Sequence, residues 1–474
     1  MMELKNNEIM PIYDASIVYP NTEDPSIAAF KSIGSSLFNN IVIALCKIIM
    51  TTNLIILGHT LYENKIHYKL IITFQVGVFI IEFLGKYFIM GLVKYLFEDK
   101  EDNEELYNLY IRMKTSLVIL IPTVITPVSI CSYFLLELLL INFTGISDQT
   151  ICKEIYLKFL IFTPIIYLFE ILFFLNLQFL HYQKQTKAVF TYLISFLIAH
   201  IALSWILLYI LEIGIIGLTI SYCINTFLFY FFTNNYVKNV REGWIQNFFL
   251  LIPKKENFDG EVMNTLKRKS LLSLLHLGEI FIVYFLFLLS IFTDENQLVV
   301  NIIYLNFYEL ILAINRGIYY SLKRYISTNV ESMEKRQKYV ATFSLYYIIF
   351  GLSLFLILFI NENILLDCYL YKGGEQILKL ISKKLRLIFS LCILFNCFRN
   401  MLNGMIRGMN IPLSLIKKII YYIICMICSY ILCFYEENGI HGLWKGAFIL
   451  NLLFVLESGY KAFKYLPQFF HNYI

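Results

Sequence analysis

Charge is scarce in this chain. Asp, Glu, Lys and Arg fill only 15% of its 474 positions, against about 25% in an ordinary soluble domain. Too few charges remain to solvate the surface of a cytosolic enzyme or to keep a chain of this size disordered. Proline (9) and glycine (21) are too few for a collagen or a low-complexity linker. The ten cysteines follow no framework spacing, and Cys425 and Cys428 form a lone CxxC in an apolar stretch, with no second pair at zinc-site spacing. Cys152 and Cys368 both fall on the predicted outer side, where pairing is open to them. There is no G-x4-G-K-[ST] loop, which argues against ATP drive within this chain. GxSxG and HExxH are also missing, and no histidine and carboxylate stand at a catalytic spacing. No enzyme, cofactor or metal site is therefore expected. Nucleic acid is not an expected partner either, since no basic run is interleaved with aromatics on a polar segment.

Apolar residues are abundant at 58%, aromatics reach 17%, and the mean hydropathy is +0.66. A helix crosses the hydrocarbon core with about 20 apolar residues. Stretches of that kind lie near 35–57, 70–92, 115–140, 157–180, 188–210, 213–233, 270–292, 298–321, 340–361, 385–405, 414–434 and 439–459. The chain reads as an all-α membrane protein of about 12 transmembrane helices. The even loops carry twenty-one Lys and Arg, Lys114 among them, against nine in the odd loops, which predicts both termini in the cytoplasm. The leader lacks a basic n-region and cleavage site. The sequon Asn142–Thr144 falls on the predicted outer side.

The longest polar interruption, 234–269, divides six spans from six. This gives a leader (1–34), an N-lobe (35–233), an inter-lobe loop, a C-lobe (270–459) and a tail (460–474). GIIGL at 214–218 recurs as GIHGL at 439–443, an offset of 225, and the polar break HYQKQT (181–186) falls opposite RGMNIP (407–412). A parallel duplication of six helices is typical of secondary transporters, which place a site between repeats and rock one bundle against the other.

Three segments resemble the multidrug and toxic compound extrusion (MATE) family, within the superfamily that includes polysaccharide and lipid flippases. They are GMIRGMNIP with the helix and GIHGLWKG that follow it (404–446), NLQFLHYQKQ with its following helix (176–222), and IILGHT (55–60). The chain looks like a divergent, eukaryotic-like member. The resemblance implies two six-helix lobes in a V and export of small organic, often cationic, solutes against a proton or sodium gradient. It also implies a monomer in the plasma membrane or an endomembrane. Arg407 and Gly408 keep the family's step, whereas its next glycine reads Asn410 and the proline of the first span is missing. An acidic residue in the first span of many bacterial members falls at Asn53; of three acidic positions in eukaryotic members, Glu279 keeps its carboxylate while Asn306 and Asn396 do not. Glu309, one turn after Asn306, is a possible substitute. The related flippases need no acidic trio, and a transport-inactive scaffold or receptor is the reading from another class.

Several charges fall inside spans, where each costs at least about 2.5–3.5 kcal/mol unless it faces a cavity or partner. Glu279 is the leading ion-coupling candidate. Lys47 stands mid-span and is expected to neutralise Glu82, Glu170 or Glu212, or to occupy the place of a coupling cation near Asn53. Glu82 and Lys86 are spaced for a local i,i+4 ion pair. His200 reads as a hydrogen bonder between helices. Asn396, Arg399 and Asn400 make the tenth span polar, and an arginine facing the cavity argues for anionic or zwitterionic cargo.

Overall fold

The computed structural model describes residues 53–55, 57, 67–96, 103–140, 149–183, 185–240, 264, 265, 267, 269, 270, 281–327, 333–361, 363–370, 376–409, 411 and 415–471. Every regular element among them is helical. In the N-lobe, α1 runs His67–Ile81, passes through a π turn at Glu82–Lys86 and continues over Tyr87–Tyr95. It is followed by α2 (Asn103–Leu139), α3 (Gln149–Lys158), α4 (Thr163–Tyr182), α5 (Thr186–Trp205, ending in a π turn at Ile206–Ile210) and α6 (Ile215–Val240). The C-lobe holds α7 (Phe281–Ser290), α8 (Glu295–Ser327), α9 (Met333–Ile360), the short α10 (Ile364–Tyr369) and α11 (Gln376–Gly408). It ends with α12 (Leu415–Tyr430, with a π turn at Ile431–Tyr435) and α13 (Ile440–His471).

Among the described residues, nine helices are long and apolar enough to cross a bilayer. At 33 residues, α11 is also longer than a span needs, although Lys379, Lys383, Lys384 and Arg386 charge its first turns. Its rise of 1.5 Å per residue gives roughly 50 Å, against a hydrocarbon core of about 30 Å. Several helices start before the apolar run does. The clearest case is α2, which begins at Asn103, so that Lys114, counted from sequence as a loop cation, is instead wholly buried inside the lobe. Pro122 and Pro127 lie within α2 without ending it. In lipid the carbonyls that such prolines free can be satisfied by local adjustment and by neighbouring side chains. Between the two prolines, the Thr123 hydroxyl folds back onto the Ile119 carbonyl at 2.9 Å.

The repeat extends into backbone detail. The π turns that end α5 and α12 are separated by the offset of 225, and so are the residues that follow: Glu212 and Glu437 at φ 49° and 52°, Gly214 and Gly439 at 70° and 55°. Non-glycine residues at positive φ are uncommon, so the matched glutamates are a conformational signature of the duplication. Gly217 and Gly442 then let the next helix pack against the π turn. A Cβ on Gly217 would stand 3.1 Å from the Leu207 carbonyl oxygen, and one on Gly442 would run into the backbone of Leu432. Glu212, considered as a partner for Lys47 inside the lobe, is therefore a turn residue, and it is exposed.

The core of the N-lobe lies along α4, whose face from Glu170 to Leu180 is buried against α2 and α6. In the C-lobe, α11 plays that part between α8 and α13. The lobes touch through α1 and α8 and through aromatic side chains of α1 and α7. Cys152 is buried on α3, Cys368 is exposed on α10, and neither forms a disulfide, so the pairing weighed from sequence does not form. The sequon and Glu279 lie outside the described residues, as does Lys47.

Candidate functional site

Each lobe buries a polar cluster, and the lobes meet at an aromatic seam. In the N-lobe the π turn of α1 places Glu82 and Lys86 on the side that faces α4. Lys86 Nζ lies 3.1 Å from Glu82 Oε1 and 3.0 Å from Glu170 Oε1, and none of the three side chains is more than 4% exposed. The ammonium also sits over the Tyr167 ring, 4.3 Å from its centroid, a cation–π contact strengthened by desolvation. Tyr87 donates its hydroxyl to Glu82 Oε2 at 2.9 Å. The pair expected from spacing is therefore joined by Glu170, and Lys47, the other cation weighed for these carboxylates, lies outside the described residues.

Next to this trio, His200 shares a 2.8 Å hydrogen bond with Asn53 Oδ1 and a 3.3 Å bond with Asn225 Nδ2. One ring nitrogen donates and the other accepts, the pattern of a neutral imidazole. Its ring lies 5.2 Å from that of Tyr222, whose phenol acts electrostatically on both Lys86 and Glu170. Asn53 is thus an amide held by histidine rather than a free cation ligand. Deeper along α2 and α4, Lys114 donates to Asn234, and Tyr110 donates to Asn176 Oδ1 at 2.7 Å.

The C-lobe cluster is built from amides. Asn396 accepts a 2.6 Å bond from Asn315 and donates to Tyr308 at 3.3 Å and to Asn451 at 3.5 Å. Asn400 folds back one turn onto Asn396 Oδ1 at 3.1 Å. Arg399, half-buried, donates to Asn451 Oδ1 at 3.3 Å and stacks on Phe454 with its guanidinium carbon 3.9 Å from the ring centroid. Asn306, grouped with Asn396 in sequence, is spent locally on the Ile302 carbonyl at 2.8 Å. Asn315, Tyr308 and Asn451 were not singled out from sequence. Only three-dimensional packing brings them together, although their place on apolar helices was a usable signal.

At the seam, Phe79 stacks against Phe287 and Tyr284 with centroids 4.4 and 4.7 Å apart. Phe83 reaches Tyr284 at 5.0 Å. Tyr87 and Tyr284 lie edge to face at 5.6 Å. Glu309 of α8 acts electrostatically on both tyrosines. The N-lobe trio and the candidate Glu309 thus approach one tyrosine pair from opposite lobes. Above the pair lies an apolar cavity of about 200 Å³, lined by Phe79, Phe83, Leu135, Phe281, Tyr284 and Leu288.

No protein-family model matches the chain, and no curated relative matches its sequence. Solved structures do share its fold. It superposes on the eukaryotic MATE transporter AtDTX14 with a TM-score of 0.69 at 15% identity, covering 92% of this chain and 96% of that one. A MOP superfamily transporter from Pyrococcus furiosus, described as having a binding pocket of reversed polarity that suggests a different function, gives 0.63 at 14% identity over 92% and 94%. An outward-facing MATE family multidrug resistance transporter gives 0.63 at 13% identity over 94% and 97%. The fold is thus the two-lobed, twelve-helix architecture of these transporters, and the chain is an integral, multi-pass membrane protein.

Proposed function

We propose that this protein is a secondary active transporter that exports a small organic solute by rocking its two lobes between outward- and inward-open states. What supports the reading is the seam itself. Two repeated lobes meet at side-chain rings around Tyr87 and Tyr284, with the buried charged trio on one side and Glu309 on the other. Two packed lobes that meet at such an interface are suited to rigid-body motion. Proton or sodium coupling and two cytoplasmic termini belong to the same proposal, as does action as a monomer in the plasma membrane or an endomembrane. Glu279 and Glu309 are the proposed coupling carboxylates of the C-lobe.

The cargo is inferred from Arg399. Among the described residues its partners are an amide and an aromatic face, and no carboxylate neutralises it. A guanidinium in that setting repels organic cations and attracts a carboxylate or phosphate. This favours anionic or zwitterionic cargo over the cations suggested by resemblance, and it keeps a lipid-linked saccharide flippase as the second reading.

The test is efflux from reconstituted vesicles, with and without a pH gradient, of a fluorescent organic anion and a fluorescent organic cation. Gradient-driven efflux that Glu279→Gln abolishes is expected. Transport unchanged by that substitution removes Glu279 from the coupling site. Movement of neither dye by folded protein, together with scrambling of a labelled anionic lipid, would replace the exporter with the flippase. No movement of any of the three would leave the inactive scaffold.

A further inference from the structure

Beside the ring contacts of the seam lies the apolar cavity of about 200 Å³. Phe79 and Phe83 of α1, Leu135 and Leu139 of α2, and Tyr284 and Leu288 of α7 line it in pairs four residues apart, so each helix turns one face to it. The lining is almost wholly carbon. A buried water needs several polar partners, which such walls do not offer. An organic solute held for transport needs placed polar groups as well. Left empty, the walls forfeit dispersion contacts. An apolar void of roughly 150 Å³ takes a benzene-sized guest, so this one takes several carbons of a chain.

The position of the cavity decides which medium reaches it. Helix α2 turns most of its apolar surface outward, and Phe134 and Leu138, next in sequence to the two lining leucines, are exposed on it. Leu84, Phe281 and Leu288 line the cavity and are exposed too, so its mouth opens on the outer apolar surface. In a multi-pass membrane protein that surface meets hydrocarbon. At the inner end the rings of Phe79 and Phe83 reach Tyr284 at 4.7 and 5.0 Å, one lobe against the other.

We propose that the cavity binds one hydrocarbon chain of a bilayer lipid, which lies between α1, α2 and α7 and braces the closed seam. The chain touches α1 and α2 of one lobe and α7 of the other, so its walls stand together only while the lobes meet there. When Phe79 and Phe83 leave Tyr284, the cavity merges with the bilayer and the chain is released. Occupancy therefore stabilises the closed seam, and by linkage whatever parts the lobes weakens binding of the chain. No charged side chain lines the cavity, so it selects the chain and not the headgroup. The site rests on the membrane-spanning fold, and only its effect on a transport cycle rests on the transport reading.

The test uses the full chain in phosphatidylcholine vesicles that contain a small share of phosphatidylcholine with a mid-chain diazirine. After photolysis, peptide mass spectrometry reads where the chain lay. Leu135, Leu139 and Tyr284 are expected to carry label. Leu288→Phe, which fills the mouth, is expected to cut that labelling several-fold while Phe134 and Leu138 keep theirs. Labelling confined to Phe134 and Leu138 in the parent overturns the site, as does cavity labelling that neither Leu288→Phe nor Leu139→Phe reduces. Loss of the cavity label on adding a fluorescent organic anion or cation would give the cavity to cargo and overturn it too. A cavity without label, in protein whose Leu84→Cys variant forms disulfide-linked pairs, would give this face to a second copy. The brace is read by thermal unfolding in detergent. Phosphatidylcholine added back is expected to raise the melting temperature of delipidated parent, and Leu288→Phe is expected to lose most of that gain; equal gains overturn the brace. Failure of the transport reading is seen separately, as absent cargo movement with the cavity label intact.

Discussion

Lys86 has no way out of its surroundings: its ammonium is fully buried between two carboxylates and the face of a tyrosine. Removing it leaves like charges side by side in the membrane, whereas removing one carboxylate leaves a matched pair. Lys86→Met is therefore expected to destabilise the protein by about 3–5 kcal/mol, and Glu170→Gln by much less. Thermal unfolding of the purified protein in detergent measures both, and equal losses would contradict the pairing. Arg399 raises a different issue, because its guanidinium carbon lies over the Phe454 ring, 3.9 Å from its centroid. Lysine keeps the charge but loses the planar fork and the stacking, so Arg399→Lys is expected to fold while losing roughly tenfold in affinity for an organic anion, a step of about 1.4 kcal/mol. Unchanged anion binding would take Arg399 out of the cargo site. At this scale the sequence was informative where partners share a helix: the spacing of Glu82 and Lys86 revealed their pair. It did not join Glu170 to Lys86 and was silent on Asn315 and Asn451, because their partners come from other helices.

The π turns that end α5 and α12 are each followed by a glutamate and then a glycine at positive φ, and the two copies invite different substitutions. Gly214 has nothing within 4 Å of an added Cβ, so alanine there meets only the left-handed backbone, a cost of roughly 1–2 kcal/mol. At Gly442 the added carbon runs into the Leu432 backbone, and α13 must back away from the turn. Gly442→Ala is expected to destabilise more than Gly214→Ala, as read by melting temperature; the opposite order would mean that the turn yields more easily than the strained backbone. The glycines were legible in the sequence because GIIGL and GIHGL repeat, and so was the division into two lobes. The π turns were not, because an apolar run such as Ile206–Ile210 carries no mark that separates π from α winding. The early start of α2 was missed for a related reason. Hydropathy finds the part of a helix that meets lipid, and the turns around Lys114 are polar because they meet protein.

Across the whole molecule, the proposed rocking cycle requires the lobes to part at the seam. The rings of Phe79 and Phe287 lie 4.4 Å apart, and Phe83 and Tyr87 extend the contact to Tyr284. Interdigitated rings of this kind hold by dispersion and apolar contact, which gives way when lobes separate and reforms when they close. A reversible tether placed there ought to stop the cycle without harming either lobe, because each keeps its own buried core along α4 or α11. Phe79→Cys with Phe287→Cys, in a background where the exposed Cys131 and Cys368 are serine, can be bridged by a short bis-methanethiosulfonate. Bridged protein is expected to lose transport in vesicles and to regain it on reduction, while either single cysteine treated in the same way keeps most of its activity. Transport that continues at full rate through the bridge would mean that the lobes need not part at this contact. The rocking model would then fail, because a fixed Phe79–Phe287 contact leaves no freedom for one lobe to swing against the other.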